Sequence, residues 1–161
     1  MMEQKTKIDA ANGQQDILIT REFDLPVELL FKAHAEPDII AQWMSNPHTT
    51  AKVLKFEAKK HGSYQMESTD AQGKVVFRSN GVFHEFSLNQ KIIRTFEMEF
   101  APFGVQLEVY DFEPLTGSTS RLQMHVIFES GAQRDQLLKL PFAQGLNLAH
   151  NRLQEILNNL K

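Results

Sequence analysis

Apolar and polar residues alternate along much of this chain, and where the alternation stops the spacing becomes helical. The run Ile17-Leu18-Ile19-Thr20-Arg21-Glu22-Phe23 predicts a strand over 16–23. Leu25-Pro26 follows. Proline fits the first turn of a helix, which Asp24 can cap and Glu28 favours near its positive end. Leu30, Phe31, Ala33 and His34 carry that helix to Glu36-Pro37, where Pro37 opens a second short helix with Ile39, Ile40 and Trp43. After Asn46-Pro47 the texture turns to β, with strands expected near 50–58, 62–69, 74–86, 90–100, 104–113 and 119–129. Ile92, Arg94, Phe96, Met98 and Phe100 share one strand face. Leu122, Met124 and Val126 share another, with Arg121, Gln123 and His125 pointing the opposite way. Asn80-Gly81 fits either a hairpin turn or a glycine-marked bulge inside one long strand.

The chain ends in helix. Ser130-Gly131-Ala132-Gln133 has capping-box spacing, and Pro141 predicts a break or kink. Beyond it Phe142, Leu146, Ala149, Leu153, Ile156 and Leu160 form an amphipathic stripe. The order β-α-α, about six further strands and one long helix gives an α+β class. An antiparallel sheet with one apolar face needs a cover, and the last helix is the element long enough to supply it. Residues 1–15, polar and rich in Gln, Asn and Ala, are expected as a flexible tail before a single domain over 16–161.

The 161 residues suit one domain able to bury roughly 70% of its unfolded surface, with no need of staples. Cysteine is absent, which excludes disulfides, thiolate catalysis and cysteine-based zinc sites. A net charge of −3 lacks the concentrated basic face that phosphate backbones require, so nucleic acid is not an expected partner. No apolar run follows the first charged residues, and none approaches the roughly 18 residues of a membrane helix. A cytoplasmic protein without membrane contact is expected.

Phosphate-binding glycine loops and nucleophile elbows are missing, and the six histidines show no metal-binding spacing. No cofactor or metal is therefore expected. Arg94 is the odd residue on an apolar strand face. It reads as a salt-bridged arginine, or as an anchor for a ligand carboxylate or phosphate. Trp43 reads as a core or lid residue, or as a stacking platform.

Three segments, in order, resemble the START-like (SRPBCC, birch-pollen-allergen) superfamily, and within it homologues of the activator of heat-shock-protein-90 ATPase. The first runs Phe23-Asp24-Leu25-Pro26-Val27-Glu28-Leu29-Leu30-Phe31-Lys32-Ala33 and continues through Glu36-Pro37-Asp38 to Trp43. The second comprises Gly62-Ser63-Tyr64, Gly81-Val82-Phe83-His84-Glu85-Phe86 and Ile92-Ile93-Arg94-Thr95-Phe96. The third is Phe128-Glu129-Ser130 leading to Gly145-Leu146 and Leu153-Gln154-Glu155-Ile156-Leu157. Gly145-Leu146 stands where the family often has Gly-Trp, and Met44-Ser45-Asn46-Pro47 departs from its Trp-rich version; both changes are expected to reshape the ligand space. The resemblance implies a helix-grip fold: a curved antiparallel sheet of about seven strands around the C-terminal helix, two short helices closing one end, and a cavity between sheet and helix.

The expected cavity residues are Trp43, Tyr64, Arg94, Phe96, Met98 and Phe100, together with Leu107, Tyr110, Met124, Phe142, Leu146 and Ala149. Twelve Phe and six Met suit an adaptable apolar wall, or simply a filled core. Burying about 300 Å² of apolar ligand would give roughly 7 kcal/mol gross, which after ordering costs means about micromolar affinity at best. Tighter binding needs a polar anchor, for which Arg94, Tyr64, Tyr110 and His125 are the candidates, although His125 lies on the polar side. The leading expectation is a non-enzymatic binder of a small apolar or amphipathic molecule, monomeric or weakly dimeric. The resemblance also implies a chaperone partner, although the chaperone activator carries a further domain that a chain of this length does not hold. Enzymes acting on cavity-bound substrates, known in the wider superfamily, come third. A cavity-facing Glu108, Tyr110 or His125 with a shifted pKa would favour that third reading.

Overall fold

Among the described residues, eight strands pair side by side into one antiparallel sheet, and four helices accompany it. The computed structural model describes residues 4–161. The strands are β1 (Lys7–Asp9), β2 (Asp16–Phe23), β3 (Thr50–Phe56), β4 (Ser63–Thr69), β5 (Val75–Ser87), β6 (Lys91–Glu99), β7 (Gln106–Pro114) and β8 (Ser120–Ile127). Their spatial order is β1-β2-β8-β7-β6-β5-β4-β3. Helices α1 (Val27–Ala35) and α2 (Pro37–Met44) follow β2; α3 (Gly131–Leu138) and α4 (Phe142–Asn158) close the chain. Strand β1 falls within the stretch expected as tail, pairing Ile8 with Ile19 of β2, and makes the sheet one strand wider than expected. Met1, Met2 and Glu3 of that stretch lie outside the described residues.

Period-two alternation sets the inner face. Ile17, Ile19, Arg21 and Phe23 of β2 are buried, and Leu122, Met124 and Val126 of β8 lie beside them through the register Ile19↔Met124. Both short helices begin at the expected prolines. Asp24 does not cap α1, however: Pro26 occupies the cap position without a side-chain bond, while the Asp24 backbone bonds the Gln154 side chain of α4. Trp43 ties α2 to α1 by donating its indole N–H to the Ala33 carbonyl at 2.8 Å.

Ser130 caps α3, its hydroxyl accepting from the Gln133 N–H at 3.2 Å. The reciprocal half of the capping box is not made. The Gln133 side chain serves Gly104 and Glu129 instead. Pro141 ends the helical run after α3 and stands at the cap of α4. The buried line of α4 is Ala149, His150, Leu153 and Leu157, with Phe142, Leu146 and Ile156 packed against the core, whereas Leu160 lies past the end of the helix and is exposed.

The Asn80-Gly81 alternative resolves as a single strand, for β5 runs unbroken through both residues. Gly81 is required by a close approach. A Cβ there would overlap the Thr95 carbonyl oxygen of β6 and stand 2.7 Å from the Tyr64 ring. Gly81→Ala is expected to destabilise the fold by about 2–3 kcal/mol. Gly145→Ala is expected to stabilise it by about 0.5–1 kcal/mol, because that helical Cβ would meet open space. Urea denaturation of the two variants should therefore move the midpoint in opposite directions.

Candidate functional site

The register between β6 and β7 assembles a buried polar cluster on the inner face. Arg94 lies opposite Glu108, Ile92 opposite Tyr110, and Phe96 opposite Gln106. Arg94 Nε donates to Glu108 Oε1 at 2.8 Å, and Arg94 Nη2 donates to the Tyr110 hydroxyl at 2.7 Å. Tyr110 donates in turn to Glu108 Oε1 at 2.9 Å, and Gln106 Nε2 donates to Glu108 Oε2 at 2.8 Å. The guanidinium also sits over the rings of Tyr64 and Tyr110, at 4.7 and 5.0 Å from their centres. Burial works against the Arg94 charge, but Tyr110, Tyr64 and Glu108 outweigh it and hold the proton more firmly than usual. Tyr110 is pushed well above its ordinary value, mainly by burial, with Arg94 opposing and Glu108 adding to the rise.

Above this cluster lies a cavity of about 290 Å³ between the sheet, α2, α3 and α4. It is walled chiefly by apolar side chains, among them Trp43, Phe83, Phe96, Met98, Met124 and Leu146. Two histidines complete it. His34 of α1 donates from Nδ1 to the Leu30 carbonyl at 2.9 Å, and burial lowers its pKa to about 4, the Leu30 bond opposing and Arg94 assisting. His150 of α4 meets the Thr6 hydroxyl through Nδ1 at 2.7 Å. Burial, then the neighbouring His34 and Arg21, bring it to about 3. Trp43 lies between the two rings, at 5.4 and 6.4 Å.

Of the expected cavity residues, Trp43, Arg94, Phe96, Met98, Tyr110, Met124, Phe142 and Leu146 line this space. Four do not. Tyr64 is packed behind the guanidinium, its hydroxyl donating to the Thr95 carbonyl at 2.6 Å. Ala149 is buried in α4 beside the lining residue His150. Phe100 lies past the end of β6 with a left-handed φ of 66° and is 81% exposed, so the alternation of β6 does not reach it. Leu107 faces outward because its strand neighbours Gln106 and Glu108 face in. His125 lies on the outer face, 2.6 Å from Asp16. Sequence reasoning missed His34, Gln106 and His150 as wall residues and held Glu108 only as a conditional candidate. The available signals were the Gln106-Glu108-Tyr110-Phe112 alternation and the place of His34 one helical turn after Leu30. Among the described residues, no three His, Asp or Glu side chains come together so as to hold a metal ion. No helix among them is long and apolar enough to cross a membrane.

Comparison with known proteins places this geometry. The sequence model of the family described as "Activator of Hsp90 ATPase homolog 1-like protein" matches residues 24–158. None of the curated proteins matches the chain. Among solved structures, a protein from Rhodobacter sphaeroides superposes with a TM-score of 0.87 at 19% identity, covering 96% of this chain and 99% of that one. A Mycobacterium smegmatis protein gives 0.84 at 18% identity, over 95% and 96% of the two chains. One from Nitrosomonas europaea gives 0.79 at 21%, over 95% and 100%. At these identities the likeness establishes the helix-grip fold.

Proposed function

The chain belongs to the activator of Hsp90 ATPase homolog 1-like family of START-like proteins, and we propose that it is a small-molecule binding protein whose ligand occupies the cavity between sheet and C-terminal helix. The observation that carries this reading is an apolar space of about 290 Å³ with one polar cluster on its wall, near the lower end of the roughly 300–1,000 Å³ usual for ligand sites. Native mass spectrometry of the purified protein tests it. A reproducible excess mass that disappears on denaturation supports a bound ligand; a clean apo mass together with no binding of any added amphiphile sinks the reading.

Leu146 offers a second check, since it lines the cavity where the family often has tryptophan. Leu146→Trp is expected to abolish the bound mass or weaken an added ligand about tenfold or more, with folding largely kept. If the position were tightly packed, the larger ring would instead cost about 1–3 kcal/mol of stability.

A co-chaperone role is the second reading, supported by the family's name alone; retention of the protein by immobilised Hsp90-type chaperone would favour it. Catalysis ranks third. Glu108 and Tyr110 do face the cavity, but the shift on Tyr110 is upward, away from neutrality, which disqualifies it as a base. Both oxygens of Glu108 already accept bonds from Arg94, Tyr110 and Gln106.

A further inference from the structure

Resting on the cavity-binding reading, we infer that the ligand is an uncharged amphiphile, anchored at Arg94 through a carbonyl-type oxygen, and that carboxylates are rejected. The usual expectation for a buried arginine is an acidic partner from the ligand. Here the protein has supplied that partner itself. Arg94 and Glu108 are the two charged residues of the lining, they pair at 2.8 Å, and the Glu108 side chain is only 6% exposed. The other polar wall groups, Gln106, Tyr110, His34 and His150, carry no charge at neutral pH. The wall therefore sums to zero. A carboxylate entering it would leave one buried negative charge without compensation. Arg21, the other buried cation nearby, is outside the lining and is engaged by Asn147, Asn151 and Thr6.

Neutral hydrogen bonding remains on offer. Arg94 spends Nε on Glu108 and one Nη2 hydrogen on Tyr110, while Nη1 makes no hydrogen bond to the described residues. An acceptor oxygen placed there completes the guanidinium without adding charge. Beside Tyr110, whose ring centre is 5.8 Å away, Nδ1 of the neutral His34 is committed to the Leu30 carbonyl, so Nε2 is an acceptor, likewise without a partner among the described residues. A donor on the ligand would meet it there. A volume of about 290 Å³ lies at the small end of ligand sites and suits a compact amphiphile with one short apolar chain.

Octanamide and octanoate match that size and differ almost only in charge. The chain's one tryptophan, Trp43, lies in the wall, so its emission reports binding of both at pH 7.5. Octanamide is expected to bind about tenfold or more tightly than octanoate. Glu108→Gln, which leaves Arg94 uncompensated, is expected to reverse that preference. Octanoate binding as well as octanamide to the unaltered protein overturns the inference while leaving cavity binding intact. So does an unchanged preference in E108Q. Binding of neither compound, with no bound mass in the purified protein, brings down the cavity reading and this inference together. Should E108Q fail to fold, the comparison on the unaltered protein decides.

Discussion

Replacing Glu108 with alanine is expected to lower the unfolding free energy by about 3–5 kcal/mol, the cost of stranding a buried charge. The side chains of Arg94 and Glu108 are 18% and 6% exposed, so solvent does little to screen what is left behind. The loss is compounded because Glu108 accepts from three donors, and Tyr110 and Gln106 lose their acceptor with it. The pair itself need not add to stability. Taking two charges out of water costs nearly what their attraction returns, and an apolar pair of similar bulk often does as well. The Arg94→Met, Glu108→Leu double variant is accordingly expected to recover most of the loss, to within about 1–2 kcal/mol of the unaltered protein. Urea denaturation followed by far-ultraviolet circular dichroism measures both. A Glu108→Ala effect below about 1 kcal/mol would mean that water reaches the guanidinium freely, and the neutral-wall account of ligand choice would lose its footing.

That cluster also marks where the sequence stopped being legible. The elements were readable from local rules: Pro26 and Pro37 start helices, Pro141 separates two, and strict alternation defines the inner face of β6 from Ile92 to Met98. The resemblance carried by Phe23–Trp43 and the Gly81 strand supplied the helix-grip arrangement, and the fold agrees with it. In β7 the same hydrophobic logic misleads. In its first half Leu107 and Val109 are the apolar residues, yet the register that sets Arg94 against Glu108 turns Gln106 and Glu108 inward, on the same side as Tyr110 and Phe112. The alternation Gln106-Glu108-Tyr110-Phe112 was the one local signal, carried by the two aromatic residues, and the pairing with β6 is what brings the polar pair in with them. His34 and His150 are 116 positions apart and meet only through the docking of α1 and α4 around Trp43. Strand β1 was missed for a related reason. Three residues among polar ones carry no period, and Ile8 finds its place only because the β2 edge is open to it.

The two histidines make the fold sensitive to mild acid. A histidine in an unfolded chain titrates near 6.5, whereas His34 does so at about 4 and His150 at about 3, each depressed first by burial. Between those values the unfolded chain takes up protons that the folded chain refuses, so stability falls as pH falls, at about 1.4 kcal/mol per unit for each group. Together they are expected to remove about 3 kcal/mol between pH 6.5 and pH 5, because the slope reaches its full value only once the unfolded histidines are mostly protonated; that is a large share of the 5–15 kcal/mol on which domains of this kind stand. The groups facing them reinforce the direction: Arg94 lies near His34, and Arg21 and His34 near His150. Glu57 and Glu99, held below their ordinary value by hydrogen bonds from Ser63 and from Asn80 and Gln65, act in the same sense, but only below their usual 4.5. Urea midpoints at pH 7.5, 6.5, 5.5 and 5.0 isolate the histidine window. His34→Phe, which keeps a ring among Trp43, Tyr110 and Phe112, is expected to cut the pH slope by about half. Midpoints that stay level across that window would show that both rings accept protons in the folded state, and the wall would then carry positive charge and take the very carboxylates that a neutral wall refuses.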